Sequence, residues 1–87
     1  MIHCLFSVYD SKVGAFMTPF FMRSKNEAIR SFTDIVNDGK SSIGMHPEDF
    51  CLFYHGTFSD EEGDFVSPTA PESLGNGVNF KRSLEPA

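Results

Sequence analysis

No tryptophan occurs in this chain, cysteine occurs only twice, and Lys and Arg together only seven times in 87 residues. Each scarcity excludes something. Cys4 and Cys51 form no Cys-x-x-Cys pair, and the three His show no His-x-x-x-His spacing. Cys51 and His55 share one strand face but lie about 13 Å apart along it by strand rise. His3 and Cys4 point to opposite faces. No metal site and no cofactor is therefore expected. The chain opens directly on a strand pattern, without a basic region followed by a long apolar one. No signal peptide is expected, and the two thiols are expected to be buried and reduced rather than bridged. No apolar run approaches the length of a membrane span, so no membrane partner is expected. Nucleophile chemistry lacks its Gly-x-Ser-x-Gly elbow. Gly75-Asn76-Gly77 has no Lys-Ser/Thr behind it to make a phosphate loop. Asp60-Glu61-Glu62-Gly63-Asp64 is too short for an EF-hand calcium loop and reads as a solvated hairpin tip. No catalytic residue emerges, and enzyme activity is not expected.

What the chain does have is phenylalanine, ten of them, the means to build a small core from few residues. Its organising stretch is Ser24 to Gly39. Ser24-Lys25-Asn26-Glu27 is a capping box. Ala28, Ile29, Phe32, Ile35 and Val36 then fall on one helical face, and Arg30, Ser31, Thr33, Asp34 and Asn37 on the other. Asp38-Gly39 ends the helix, with Gly39 free to take the left-handed cap conformation. A strand pattern over Ile2–Tyr9, a turn at Asp10–Gly14 and a returning strand over Ala15–Met22 precede the helix. Pro19 marks that returning strand as an edge or a bulge. After the helix come a polar link over Lys40–Met45, a helical turn over 47–49, a strand over Phe50–Phe58, a hairpin loop at Ser59–Gly63 and a fourth strand beginning at Asp64–Ser67. Beyond Pro68 the pattern weakens. Glu72–Leu74 is expected as one helical turn and Val78–Lys81 as a short strand. The expectation is one α+β domain over 1–87: a ββαββ antiparallel sheet with one helix on one face, a core of about 2–67 and an irregular tail over 68–87.

Charge is unevenly placed. The net charge is −5, and Glu48, Asp49, Asp60, Glu61, Glu62 and Asp64 all fall within 46–64, where there is no Lys or Arg. A strong grip on nucleic acid needs a more basic chain. Aromatic and basic residues do adjoin at Phe16, Phe20, Phe21, Arg23 and Lys25, and again at Phe80-Lys81-Arg82. That juxtaposition fits base stacking beside phosphate contacts, and equally fits core phenylalanines flanked by surface bases. If single-stranded DNA binds, Arg23, Lys25, Lys81 and Arg82 are the expected phosphate partners, with Lys12 and Arg30 behind them.

The strands carry a stronger signal. A half-exposed antiparallel sheet alternates apolar with polar side chains, and these strands do not. Strict alternation puts Phe16, Phe20 and Met22 opposite Met17, Pro19 and Phe21, and Cys51 and Phe53 opposite Leu52, Tyr54 and Phe58. Both faces are apolar, yet one long helix covers only one face. In the tail only Leu74, Val78, Phe80 and Leu84 are large and apolar. An uncovered Phe-rich face exceeds what monomers usually expose. A homodimer is therefore expected, with Phe16, Phe20, Phe21, Phe53 and Tyr54 at its interface.

The chain also resembles a family. Leu5-Phe6-Ser7-Val8-Tyr9-Asp10, Pro19-Phe20-Phe21, Ala28-Ile29-Arg30-Ser31-Phe32 with Val36-Asn37-Asp38, His46-Pro47-Glu48-Asp49-Phe50 leading to Leu52-Phe53, Gly56-Thr57-Phe58 and Ser73-Leu74-Gly75 follow the order and spacing of the small non-structural protein of gokushoviruses, single-stranded DNA phages among the microviruses. The resemblance covers roughly residues 2–82. It implies a protein made in the infected bacterial cytoplasm and absent from the virion. It also implies a role in the switch from double-stranded replication to single-stranded genome synthesis and packaging, with single-stranded DNA binding attached to that role. It implies no catalytic residue. The alternative is an adaptor that contacts the replication initiator or the procapsid and leaves DNA alone.

Overall fold

The helix expected at the centre of the chain is present. In the computed structural model, which describes residues 1–82, α1 spans Lys25–Val36. Ser24 is its extended N-cap, and the Ser24 Oγ accepts the Glu27 amide at 3.2 Å. Only this half of the capping box forms. The expected glycine cap gives way to Asn37, because its side chain satisfies the helix end directly. Asn37 Nδ2 donates to the Thr33 carbonyl at 2.7 Å and to the Phe80 carbonyl at 3.1 Å. Gly39 stays out of the left-handed region.

β1 (Ile2–Asp10) and β4 (Phe50–Ser59) form the antiparallel centre of the sheet, from Ile2 against Ser59 to Asp10 against Phe50. β2 (Ala15–Phe16) and β3 (Phe20–Met22) share the outer edge of β1. β5 (Asp64–Val66) and β6 (Glu72–Asn76) share the outer edge of β4. The single returning strand expected over Ala15–Met22 is thus two pieces of an edge, separated around Pro19, as a residue without an amide donor requires. The turn between β1 and β2 is held by Asp10, whose Oδ1 accepts the Lys12 and Val13 amides. The architecture is α+β, with one main helix on an antiparallel sheet.

The polar link contains a short helix, α2 (Ser42–Met45), capped by Ser41. The expected turn over 47–49 is a 3₁₀ turn with Pro47 at its start. Two expectations beyond Pro68 are corrected. Glu72–Leu74 is not a helical turn but part of β6, because the outer edge of β4 still has backbone groups to pair there. Val78–Lys81 is not a strand. Gly77–Phe80 is a 3₁₀ turn that Asn76 caps, accepting the Val78 amide at 3.0 Å.

The core lies between α1 and one face of the sheet. Ala28, Phe32 and Val36 pack on Phe6, Val8, Phe50 and Leu52, with Ile43 closing one end. Ile29 packs at the margin. Ile35, expected on the buried face, stays 42 % exposed beside a furrow lined by Val8, Phe20, Met22 and Phe32. Leu74 and Phe80 join on this same side, the Phe80 ring edge-on to Phe32 at 5.7 Å. Val78 remains exposed, and Leu84 lies outside the described residues. The tail therefore thickens the covered side, and on the other, largely bare face only its Ser67–Pro71 start approaches the sheet, leaving Phe16, Phe21 and Phe65 exposed there. Cys4 and Cys51 are free thiols, half-buried rather than buried.

Candidate functional site

The bare face owes its character to two breaks in strand alternation. In a regular strand, residues an odd number apart point to opposite faces. Phe16 and Phe21 are such a pair, and so are Phe53 and Phe58. All four nevertheless lie on the bare face. Around Pro19 the edge resets: Phe16 pairs with Tyr9, while Phe21 pairs with Leu5. In β4, Leu5 faces Gly56 and Phe6 faces Tyr54, so His55 is the extra residue of a β-bulge. The bulge brings Phe58, opposite His3, onto the face that already holds Phe53, opposite Ser7. Gly56 makes this possible. Its φ is +123°, and a Cβ there would collide with the Val66 carbonyl oxygen.

The rings gather in two groups along the strands. At one end Tyr9 and Phe16 are 4.9 Å apart, Phe16 and Phe53 5.3 Å, and Phe16 and His55 5.4 Å, all edge-on. At the other end His3 meets Phe21 at 6.1 Å, Phe21 meets Phe58 at 6.0 Å, and Phe58 meets Phe65 at 4.7 Å. Between them is a cleft of about 490 Å³. Leu5, Ser7 and His55 line its floor, Met17 and Pro19 one bank, and the irregular Ser67–Pro71 segment the other. Ser7 is buried, and its Oγ lies 2.6 Å from His55 Nε2. An apolar cleft with a few convergent polar groups is the usual form of a binding site.

Charge is segregated around this face. None of the six strands contains Lys or Arg. Asp60, Glu61, Glu62 and Asp64 crowd the end of the face beside His3. The Met1 amino group and the His3 ring, both bonded to Asp60, hold its carboxyl below the usual carboxylate range. At the opposite end stand Asp10, Glu48 and Asp49, with Lys12 among them.

The candidate interface residues divide. Phe16, Phe21 and Phe53 are on the bare face. Phe20 and Tyr54 are not, since both pack beside Phe6 on the helix side. The premise of the expected dimer, a sheet face that the one long helix leaves uncovered, is present. Of the candidate DNA contacts, Lys25, Lys81 and Arg82 are engaged away from the exposed rings, while Lys12 and Arg23 lie at the ends of the bare face. Arg23, Lys25 and Arg30 sit on or just before α1. Lys81 and Arg82 sit at its far end, where Lys81 Nζ donates to the Val36 carbonyl and Arg82 pairs with Asp34 at 3.3 Å. The Lys25 ammonium is committed to Glu72 and to the Tyr54 ring face. The helix is about 18 Å long, so Lys25 lies nearly a helix length from Lys81 and Arg82, with Arg30 between them.

Two juxtapositions escape a reading of the sequence. Ser7 and His55 are 48 positions apart and meet only because of the bulge. His46, Glu48 and Asp49 bring one ligand atom each within 4.8 Å of one another. The string His46-Pro47-Glu48-Asp49 is its signal: Pro47 starts a 3₁₀ turn that brings the three side chains together.

The protein-family model described as Phage ORF5 protein matches residues 3–80 of the chain. No curated protein and no solved structure matches it.

Proposed function

The chain belongs to the Phage ORF5 family, and we propose that it is a gokushovirus non-structural protein of the infected cell, acting in the switch from double-stranded replication to single-stranded genome synthesis and packaging. It does so as a protein–protein adaptor, docking its bare aromatic face on a replication or procapsid protein. One observation carries this reading: the strands that present the exposed rings contain no Lys or Arg. Single-stranded DNA needs stacking platforms and phosphate neutralisation along one track, and here Lys25, Lys81 and Arg82 are engaged on the helix side, away from the exposed rings. The protein has no catalytic role in this reading. Among the described residues no carboxylate bonds the His55 ring, so the Ser7–His55 pair lacks an orienting acid.

The test is a pull-down from infected cells, with and without nuclease. A partner protein retained after nuclease, and lost when Phe21 and Phe65 are changed to Ser, supports the adaptor. Recovery that disappears with nuclease overturns it. Direct single-stranded DNA binding is the second reading, favoured by six of the seven cations flanking α1: Arg23, Lys25, Arg30, Lys40, Lys81 and Arg82. Under it, K81E with R82E weakens oligonucleotide binding and flattens its salt dependence. An unmodified protein that shifts no labelled oligonucleotide at low salt ends that reading.

A further inference from the structure

The bare face has edges as well as a surface, and the edges are poor docking sites. On the β1 side Pro19 interrupts the outer strand. On the β4 side Pro68 and Pro71 separate two short strands. A partner strand has no continuous ladder to extend on either side. The surface is different. Phe16, Phe21 and Phe65 are 46 %, 50 % and 62 % exposed, and the cleft over Leu5, Ser7 and His55 lies between the two ring groups. Both ends of this apolar track are acidic, with four carboxylates at the Asp60 hairpin and three at the Asp10 and Asp49 end. Lys12 stands at the Asp10 end, and at the Asp60 end Arg23 follows Met22 beside Cys4 and the Met1 amino group pairs with Asp60 and Glu61, so among the described residues carboxylates outnumber cations at both ends.

A second copy of the chain is the simplest occupant to imagine, and charge argues against it. Two sheets packed face to face hold their strands within about 30° of alignment. A two-fold axis along the strands then sets the Asp60 end on its own copy. An axis across the strands sets it on the Asp10 and Asp49 end. Both arrangements place carboxylates on carboxylates, and like charges brought together across an interface cost several kcal/mol.

We propose that the bare face binds a protein segment of opposite build: apolar or aromatic residues that enter the cleft, flanked on both sides by Lys or Arg that meet the acidic ends. This rests on the adaptor reading and specifies the partner's chemistry. The apolar track supplies the buried area, while the acidic ends steer the segment and fix its placement.

A random peptide library panned on the folded protein tests this, with light scattering of the protein alone at micromolar concentration. Peptides in which aromatic or aliphatic residues lie between Lys or Arg are expected to be enriched. Their affinity should fall at least roughly tenfold when Asp60, Glu61 and Glu62 are changed to Lys, and should fall with added salt. Phe21→Ser and Phe65→Ser should each weaken them. Both positions are half-exposed or more, and circular dichroism checks that each variant folds. Enriched peptides without basic bias, still lost on Phe21→Ser, overturn the charge inference and leave the docking face standing. A dimer mass that Phe21→Ser abolishes, with no peptides enriched, gives the face to a second copy and also overturns it. A monomer that enriches nothing removes both the inference and the docking face.

Discussion

On the helix side of the sheet Phe6 is wholly buried between Phe20 and Tyr54; on the other side Phe21 leaves half of its surface to solvent. The strands supply both sides with the same residue type. The difference lies in cover. α1 lies over one face, and the tail, which had the choice of either, sends Leu74 and Phe80 to the face already covered. Apolar area on the helix side is removed from water by folding and stabilises the domain at about 25 cal/mol per Å². Apolar area on the bare side stays in water until a partner removes it. The same chemistry is thus core in one place and interface in the other, and position relative to a single helix decides which.

The comparison is broken most severely from the covered side. Phe6→Ala should cost about 3–5 kcal/mol, the usual range for emptying a fully buried aromatic site. For a domain whose whole stability is about 5–15 kcal/mol, this is the largest single effect expected. Urea unfolding measures it. A cost below about 1 kcal/mol would show that α1 and the sheet are not the main core.

Gly56→Ala should come next, at about 2 kcal/mol, since it combines a positive φ with a collision at the Val66 carbonyl. It also attacks the device that places Phe58 on the bare face. Amide shifts in a two-dimensional spectrum should move at Phe58 and Phe65 more than at Phe6. A stable variant with unmoved Phe58 would mean that the bulge relaxes without cost.

Ser24→Ala should cost about 1 kcal/mol by leaving the Glu27 amide without its acceptor. In a domain of this size that lowers the melting temperature by about 4–8 °C. An unchanged melt would mean that the cap adds nothing and that packing of Ala28, Phe32 and Val36 alone sets the helix start.

Much of this was legible in the sequence because it is local. The capping box, the 3.6-residue stripe, the edge status announced by Pro19 and the Asp10 turn each rest on neighbours in the chain. The doubling of apolar character on the strands was legible too, and with it one uncovered face. What alternation got wrong is which rings lie where. Phe20 and Tyr54 go under the helix, and Phe58 joins Phe53, because each strand loses phase at one residue. The β-bulge at His55 has one local mark, the Gly56 beside it, but which rings it moves is set by the register of the partner strand. The tail misleads for a similar reason. Its Pro and Gly suppress every local preference, so β6 forms only because β4 has an unfilled edge. The separation of Lys25 from the exposed rings is a tertiary fact: in the sequence it is close to Phe21, and across the sheet they face opposite ways.

The smallest expected effect is also the sharpest test of the comparison. Phe65→Ser removes a ring that is 62 % exposed, on a three-residue edge strand, with Phe58 as its one aromatic neighbour at 4.7 Å. The ring buries little area, so its transfer contribution is small, and the paired rings add about 0.5–1.5 kcal/mol at most. The net cost to folding should stay under about 1 kcal/mol, with the urea slope unchanged, since the surface exposed on unfolding barely alters. If Phe65→Ser instead costs as much as Phe6→Ala, the rings of the bare face hold the domain together, and what looks like an open interface is a second core. A small cost in folding, joined to a large loss of partner, is the signature that separates an interface residue from a structural one. Of the exposed aromatics, Phe65 is the one whose removal leaves the fold least excuse to fail.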